Sequence, residues 1–438
     1  MDGGKTDQNL LFFEIDDVHG CSAGAMIDLV SWIVTFLLSI CYLWVSYNIL
    51  ILAVGIRKAR SKDSRGRKDE DRKNLPTISI VVPVRNEEKV VGRLLEALLS
   101  LDYPKGKMDI NIIEDASSDK SREICERFAN RHSQYARFFH RSLSEGKPSA
   151  LNFGFQHAQG DIVAVFDADN VPERDVLLRV ARYFGDSSVA AVQGTTCTIN
   201  ADENMLTKFI SYEEAVWRKS YLHGKDALGL FVPLTGSCLF VRRSVAEKVG
   251  GWDEDCLAED LEMSAKITEN GYSIRYAPEV VSWQEAPSSF AQLFRQRVRW
   301  FRGYIEVAAK YGRFLKRPEK RAVDAEIMMM GPYVLALFFA GYLTCACSSL
   351  LHIQLDPVFA AMSSITLLVT AVTLLVVGIA LVYSTRPRTA KNILWLPFVY
   401  GYLSLQGTIA SYALLQTVFM RPRKWERTVK KGTRTERA

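Results

Sequence analysis

Cysteine and histidine are scarce in this sequence and badly placed for a metal centre. Its 438 residues hold eight cysteines and six histidines. No cysteine pair has a metal-site spacing and no two histidines form an HxxxH pair, which argues against the common zinc sites. Cys125, Cys197, Cys238 and Cys256 fall in the central part of the chain, where a cytoplasmic setting keeps thiols reduced. Cys345 and Cys347 lie in an apolar segment as small packing residues. Internal repeats are absent, and the only low-complexity stretch is the charged run from Lys58 to Asn74, which has no means of fixing its own structure. A strong charge of one sign is missing too, since the formal net charge is only +6. The basic residues that do cluster sit beside an apolar run, a pattern of membrane topology rather than of nucleic-acid binding.

Ionised side chains are absent from Leu29 to Ile56, a run long enough to cross a bilayer at the helical rise per residue. Glu14, Asp16, Asp17 and Asp28 precede it, and Arg57, Lys58, Arg60, Lys62, Arg65, Arg67 and Lys68 follow. This asymmetry puts the amino terminus outside and the central domain in the cytoplasm. The run exceeds a signal-peptide core and lacks an evident small-residue cleavage site, so it reads as a retained anchor. Three more apolar segments follow the central domain: 327–351, 358–383 and 393–419. The loop at Leu355-Asp356-Pro357 carries no positive charge and reads as external; the next, with Arg386, Arg388 and Lys391, reads as cytoplasmic. A third full crossing would then leave Arg421, Arg423, Lys424, Arg427, Lys430 and Lys431 outside, against the charge rule. Either the last segment, which holds Gly401 and Gly407, is re-entrant or interfacial, or this tail is an exception to the rule; a cytoplasmic tail is expected. The expected organisation is an extracytoplasmic tail (1–28), a transmembrane helix (29–56), a basic linker (57–75), a soluble α/β domain (76–286), amphipathic interface helices (287–326), apolar segments (327–419) and a basic tail (420–438), in all a multi-pass plasma-membrane protein.

The central domain alternates two periods. Ile78 to Val82 is a β-branched run ended by Pro83, and Val90 to Leu101 then carries Val91, Leu94, Leu95 and Leu98 at helical spacing. Asp109–Ile113, Ile162–Phe166 and Val189–Val192 read as further strands, and Asp119–Ala129 as a helix. This alternation predicts a mostly parallel sheet covered by helices, with ligands outside the carboxyl ends of its strands. Pro83 to Glu87, Glu114-Asp115 and Asp167-Ala168-Asp169 all fall at such ends.

Asp167 and Asp169, one residue apart just beyond a buried strand, are hard oxygen donors suited to Mg²⁺ or Mn²⁺ that bridges substrate phosphates. A D-x-D alone is a common turn; it gains weight from its company. Glu259-Asp260 opens a helical stretch, where acidic residues complement the helix dipole and where Asp260 can also act as a general base toward an attacking hydroxyl. Gln296, Arg299 and Trp300 stand at i, i+3 and i+4 on one helical face. Phe290, Leu293, Phe294, Phe301 and Tyr304 give the same stretch an apolar stripe suited to a membrane surface. Arg299 would meet a diphosphate and Trp300 would stack under a sugar ring.

These motifs resemble those of the membrane-integrated family 2 glycosyltransferases, the group of cellulose, chitin, hyaluronan and poly-N-acetylglucosamine synthases. The family's D, DxD, D and QxxRW signature is matched by Asp115, Asp167 with Asp169, Asp260, and Gln296 with Arg299 and Trp300. Its P-x-x-N-E element is matched by Pro83, Asn86 and Glu87, and its G-K element by Gly146-Lys147. Ala258 replaces a common Thr and Glu114 a common Asp. The resemblance implies a GT-A fold (a Rossmann-like, mostly parallel sheet inserted between transmembrane helices), a UDP-sugar donor such as UDP-Glc or UDP-GlcNAc, Mg²⁺ or Mn²⁺, and inversion to a β-linked product. It implies that Asp115 contacts the base, Asp167 the nucleotide and Asp169 the metal, that Asp260 is the catalytic base, and that Glu259 serves the acceptor or diphosphate side with the QxxRW residues. The tail Trp425-Glu426-Arg427-Thr428-Val429-Lys430 resembles the gating segment of cellulose synthases, which also implies a cytoplasmic tail. Arg317 and Arg321 have the spacing of half a cyclic-dinucleotide motif, with no matching domain after them. The expected activity is processive synthesis and export of a β-linked polysaccharide, with an accessory export subunit as a further partner. The alternatives are transfer of one or a few sugars to a membrane lipid, and a silent subunit of a synthase.

Overall fold

The computed structural model describes residues 13–60, 74–312, 319–351, 357–384, 390–422 and 428–433. The linker residues 61–73, the loop at Asp356, Arg317, Arg386 and Trp425 to Arg427 lie outside the described residues. A long helix α1 (Phe13–Arg60) comes first. The expected boundary at residue 29 is therefore not a helix boundary: charge marks where apolar surroundings begin, but a helical backbone can continue past that point.

The domain then runs β1 (Ile78–Val84), α2 (Val91–Leu99), β2 (Met108–Asp115), α3 (Ser121–Arg131), β3 (Ala136–Arg141), α4 (Lys147–His157), β4 (Ile162–Val165), β5 (Val171–Pro172), α5 (Val176–Ala181) and β6 (Val189–Thr198). Helix α6 (Met205–Val216) passes through a π-helical turn (Trp217–Leu222) into α7 (His223–Ala227). The domain closes with β7 (Leu239–Arg242), α8 (Arg243–Lys248), α9 (Glu259–Glu269) and β8 (Ser273–Gln284). Among the described residues these eight strands make one sheet, ordered β3-β2-β1-β4-β7-β6-β8-β5. The half β3-β2-β1-β4 is parallel, and antiparallel β7 joins it to the parallel pair β6 and β8.

Pro83 does not end the first strand as expected. It pairs with Ile113 on β2, whereas pairing to β4 stops at Val81, so a residue with no N–H is tolerated where one ladder has already ended. Asp115 ends β2, and Asp167 and Asp169 follow β4, so these carboxylates crowd one edge of the parallel half.

One face of the sheet packs Leu94, Leu95 and Leu98 of α2 with Val176 and Val180 of α5. The other packs Leu151 of α4, Met263 and Ile267 of α9, and also Ile51, Leu52 and Ile56 of α1. The anchor helix is thus part of the domain's core. Two glycines let it in: a Cβ on Gly55 would lie 1.7 Å from the Ser220 carbonyl oxygen, and one on Gly224 2.1 Å from that of Ile51. A buried ion pair, Lys225 Nζ to Asp324 Oδ2 at 2.7 Å, lies at the same junction, and Tyr47 of α1 donates to Asp324 Oδ1 at 2.9 Å.

After the domain come α10 (Phe290–Tyr311), α11 (Lys320–Met329), α12 (Gly331–Leu350), α13 (Pro357–Ser384) and α14 (Leu396–Val418). By length and composition two helices among the described residues, Thr35–Ala59 and Ile393–Val418, are apolar enough to cross a membrane; a third qualifies if α11 and α12, bent by 41° at the break between Met329 and Gly331, count as one. Exposed Trp32, Phe36, Leu43, Leu50, Leu368 and Leu375 leave apolar surface facing outward, as membrane association requires. Helix α14 lies against the domain at both ends. Tyr402 near its start packs with Ile210 of α6, and Arg302 of α10 donates to the carbonyls of Arg421 and Pro422 just past its end. The chain beyond α14 returns to the sheet domain, where the Lys431 N–H donates to Glu285.

Candidate active site

A cavity of about 510 Å³ opens at the carboxyl ends of β1, β2 and β4. Of the residues singled out from sequence, Pro83, Glu87, Asp115, Lys147, Asp167, Asp169, Glu259, Asp260, Gln296, Arg299 and Trp300 all line it. Asn86 does not. It sits at φ +55° and its Oδ1 accepts from the Ser118 N–H at 2.7 Å, so it ties the loop after β1 to the loop after β2. Glu114 is fully buried and held by the Ser117 N–H and by His140 Nδ1 at 2.6 Å. Its neighbour Asp115 accepts from the Ser144 hydroxyl and lies 3.2 Å from Arg141 Nη1. Burial pushes the Asp115 carboxyl up, against the pull of Ser144 and Arg141.

Lys147, the first residue of α4, crosses the cavity floor. Its ammonium is 2.7 Å from Asp167 Oδ1 and 3.6 Å from Glu259 Oε1, and it donates to the Gly236 carbonyl at 2.9 Å. Burial disfavours its charge, but these carboxylates outweigh that and hold it protonated. The loop Thr235-Gly236-Ser237 is the counterpart: the Ser237 hydroxyl accepts from the Asp167 N–H at 2.9 Å. Gly236 has φ +77°, and a Cβ there would meet Asp260 Oδ2 at 3.3 Å and Lys147 Nζ at 3.5 Å. Gly236→Ala should therefore lower turnover by about tenfold or more through a shifted Asp260, read as initial rate on folded protein, together with a modest fall in thermal midpoint from the positive φ.

Asp260 lies in the first turn of α9 and faces the cavity beside Glu259. Burial and the Glu259 charge raise its carboxyl to about 7, while Lys147 and Arg299 pull the other way. A carboxyl titrating near neutrality in a cleft suits a proton acceptor. Helix α10 carries the remaining wall. Arg297 is paired with Glu213 of α6 at 2.8 Å and stacks 4.4 Å from the centre of the Trp300 ring. Tyr402 donates to the same Glu213 oxygen at 2.6 Å, so α6, α10 and α14 share one polar clamp.

Sequence reasoning assigned no role to Arg85, Glu213, Glu285 or Gln406, all of which line the cavity. Glu285 anchors the carboxyl-terminal tail. Three successive N–H groups, those of Lys431, Gly432 and Thr433, donate to its carboxylate at 3.0, 3.3 and 2.8 Å. This brings Lys430 Nζ to 2.7 Å from Asp169 Oδ2, and Thr428 accepts from Gln296 at 3.4 Å. Burial opposes ionisation of Asp169, but Lys430, the Glu285 N–H and Arg93 outweigh it and hold the carboxyl below its usual range.

Asp167 and Asp169 are thus carboxylates that each already hold a cationic group. Among the described residues no cluster of three His, Cys, Asp or Glu side chains forms a complete metal cage. A two-carboxylate donor set still fits Mg²⁺ or Mn²⁺, which take their other ligands from substrate phosphates and water.

The family model described as "Glycosyltransferase like family 2" matches residues 76–303. The probable glycosyltransferase YdaM of Bacillus subtilis is 33% identical over 310 residues, 69% of this chain and 74% of its own. The β-monoglucosyldiacylglycerol synthase of Nostoc sp. is 29% identical over 425 residues, 93% of this chain and 86% of its own. The poly-β-1,6-N-acetyl-D-glucosamine synthase of Staphylococcus epidermidis is 31% identical over 231 residues, 52% of this chain and 55% of its own. Among solved structures, a mannosyltransferase from Pyrobaculum calidifontis in complex with GDP-Man and Mn²⁺ superimposes with a TM-score of 0.58 at 19% identity, over 88% of this chain and all of that one. That likeness shows the fold, a GT-A-type domain with a mixed, mostly parallel sheet flanked by apolar helices.

Proposed function

We propose that this chain, which belongs to glycosyltransferase family 2, transfers a hexose from a UDP-sugar to the hydroxyl of a membrane lipid of the diacylglycerol class. The observation that carries this reading is the acceptor end of the cavity. Besides Trp300 its wall includes Ile210, Phe301, Met328, Pro332 and Leu335, apolar side chains of α6, α10, α11 and α12, of which α12 also carries exposed Leu343 and Leu350. A glycerolipid could enter there with its chains on apolar surface and its hydroxyl toward Asp260. The Nostoc lipid synthase, aligned over nearly the whole chain, agrees with this reading.

In this reading Pro83, Glu87, Asp115, Lys147 and Asp167 hold the UDP-sugar, UDP-Glc or UDP-GlcNAc, and Asn86 shapes their loop. Asp169 would hold Mg²⁺ or Mn²⁺, which when bound offsets charge on the leaving diphosphate. Lys147, reaching Asp167 and Glu259 together, fixes the spacing between the donor and base ends of the site. Arg299 offers its guanidinium to the diphosphate. Asp260 takes the proton from the lipid hydroxyl as its oxygen attacks the anomeric carbon from the face opposite UDP, which inverts the centre. Glu259 raises the proton affinity of Asp260, and Trp300 with Gln296 orders the acceptor side. Helices α1 and α14, with the bent pair α11 and α12, would hold the enzyme at the plasma membrane, with the catalytic domain and tail in the cytoplasm.

A processive polysaccharide synthase is the second reading. Trp300 at the acceptor end of the cavity favours it, as does the alignment to the S. epidermidis polymer synthase, although that alignment covers only about half of each chain. The deciding experiment incubates the protein in lipid nanodiscs containing diacylglycerol with radiolabelled UDP-sugars and Mn²⁺, then sizes the product. Label in a small, lipid-extractable species is expected; a high-mass polymer would overturn the lipid reading.

A further inference from the structure

The cavity is lined by a polar group that no described residue satisfies. Gln406, in the middle of α14, is only 5% exposed and lines the cavity. Neither its Nε2 nor its Oε1 has a hydrogen-bond partner among the described residues. Apolar Ile210, Phe301 and Leu335 also line the cavity, and Ile409, Ala410 and Ala413 follow on α14. One turn earlier Tyr402 is fully engaged with Glu213, so this face of the helix is built against the site. Leaving a buried amide donor and acceptor unmade is destabilising, and aliphatic side chains of similar size would avoid it. Native folds rarely keep such groups buried without a partner, and one that lines a cavity can find it in a bound ligand.

We infer that Gln406 is an acceptor-binding residue, whose carboxamide hydrogen-bonds the non-reacting polar group of the lipid, an ester carbonyl next to the hydroxyl that is glycosylated. The inference rests on the lipid-acceptor reading above and adds to it the recognition element. The Nε2–H donor suits a carbonyl oxygen, and the apolar walls on either side suit the acyl chains that flank it. In an apolar pocket one such bond discriminates strongly, because an acceptor lacking the carbonyl leaves the amide unpaired again.

The test compares diacylglycerol with dialkylglycerol, which keeps the hydroxyl and chains but has ether oxygens in place of the ester carbonyls. Both are assayed as acceptors for the wild type and Gln406→Leu in nanodiscs with UDP-sugar and Mn²⁺. The wild type is expected to prefer diacylglycerol by about tenfold in kcat/KM, the worth of one buried hydrogen bond. Gln406→Leu should lose that preference mainly through a higher KM for diacylglycerol, with UDP affinity unchanged. Its thermal midpoint should be equal to or above the wild type's, since an unpaired buried amide has been removed. Wild-type transfer with the same preference in both proteins would overturn the inference alone. Absence of lipid transfer by the wild type would overturn the functional reading, and the inference with it.

Discussion

Asp260→Asn is expected to abolish sugar transfer while leaving UDP binding nearly intact. Asp260 is the carboxyl that desolvation and Glu259 raise to about 7, and it faces the cavity near Trp300 and Arg299. Asn keeps its size but cannot accept a proton. General bases of this kind contribute roughly 10²- to 10⁴-fold, so the loss should reach that range in kcat, with UDP affinity by calorimetry changed little. A variant that kept a tenth of the wild-type rate would place the base elsewhere. The same carboxyl sets the pH dependence: its basic form accumulates as pH rises, so wild-type kcat/KM should climb through about pH 7 and level off above it. Stability runs the opposite way. A carboxyl with a raised native pKa holds its proton more tightly when folded, and that contribution is full below the unfolded-state value and lost as pH rises through about 7. Above pH 7 the Asn variant should therefore melt at or above the wild-type temperature.

Much of the parallel half of the sheet was legible because buried parallel strands are apolar throughout. Ile78–Val82 and Ile162–Phe166 announced themselves in this way, and the carboxylates that follow such strands stand out against them. Strand β3 was not legible: its Arg137, His140 and Arg141 belong to an edge with only one strand neighbour, where the apolar signal weakens. Antiparallel β7 was also hidden, since strand direction leaves no mark in a four-residue run. Helix α14 carries the hydropathy of a span, yet part of that apolar surface is spent on α6 and α10. Hydropathy measures how much surface must be buried and is silent about whether lipid or protein buries it. Gln406 is one of two glutamines, with Gln416, in an otherwise mostly apolar segment, and only the folded chain shows that it lines the cavity.

Asp169→Asn is expected to cut transfer by about a hundredfold or more and to erase the effect of Mn²⁺ on UDP affinity, and Lys430→Ala is expected to shift metal activation the other way. Both follow from the proposal that Asp169, already paired with Lys430, also holds the metal. In the folded chain the Asp169 charge is compensated by Lys430 at 2.7 Å, in a contact with little solvent access, where neither partner is left uncompensated without a large penalty. A divalent cation held by Asp169 would compete with the Lys430 ammonium for that charge, while the tail's backbone stays bonded to Glu285. Removing the ammonium removes a competitor, so the half-saturating Mn²⁺ concentration for UDP binding should fall by about three- to tenfold in Lys430→Ala. Removing the carboxylate charge takes away the shared ligand: calorimetric UDP affinity in Asp169→Asn should be the same with Mn²⁺ as with a chelator. Undiminished Mn²⁺ dependence in that variant would place the metal on other oxygens. An unchanged Mn²⁺ midpoint in Lys430→Ala would show that the tail and the metal occupy the site without competing, and that Lys430 acts only as a structural counter-charge.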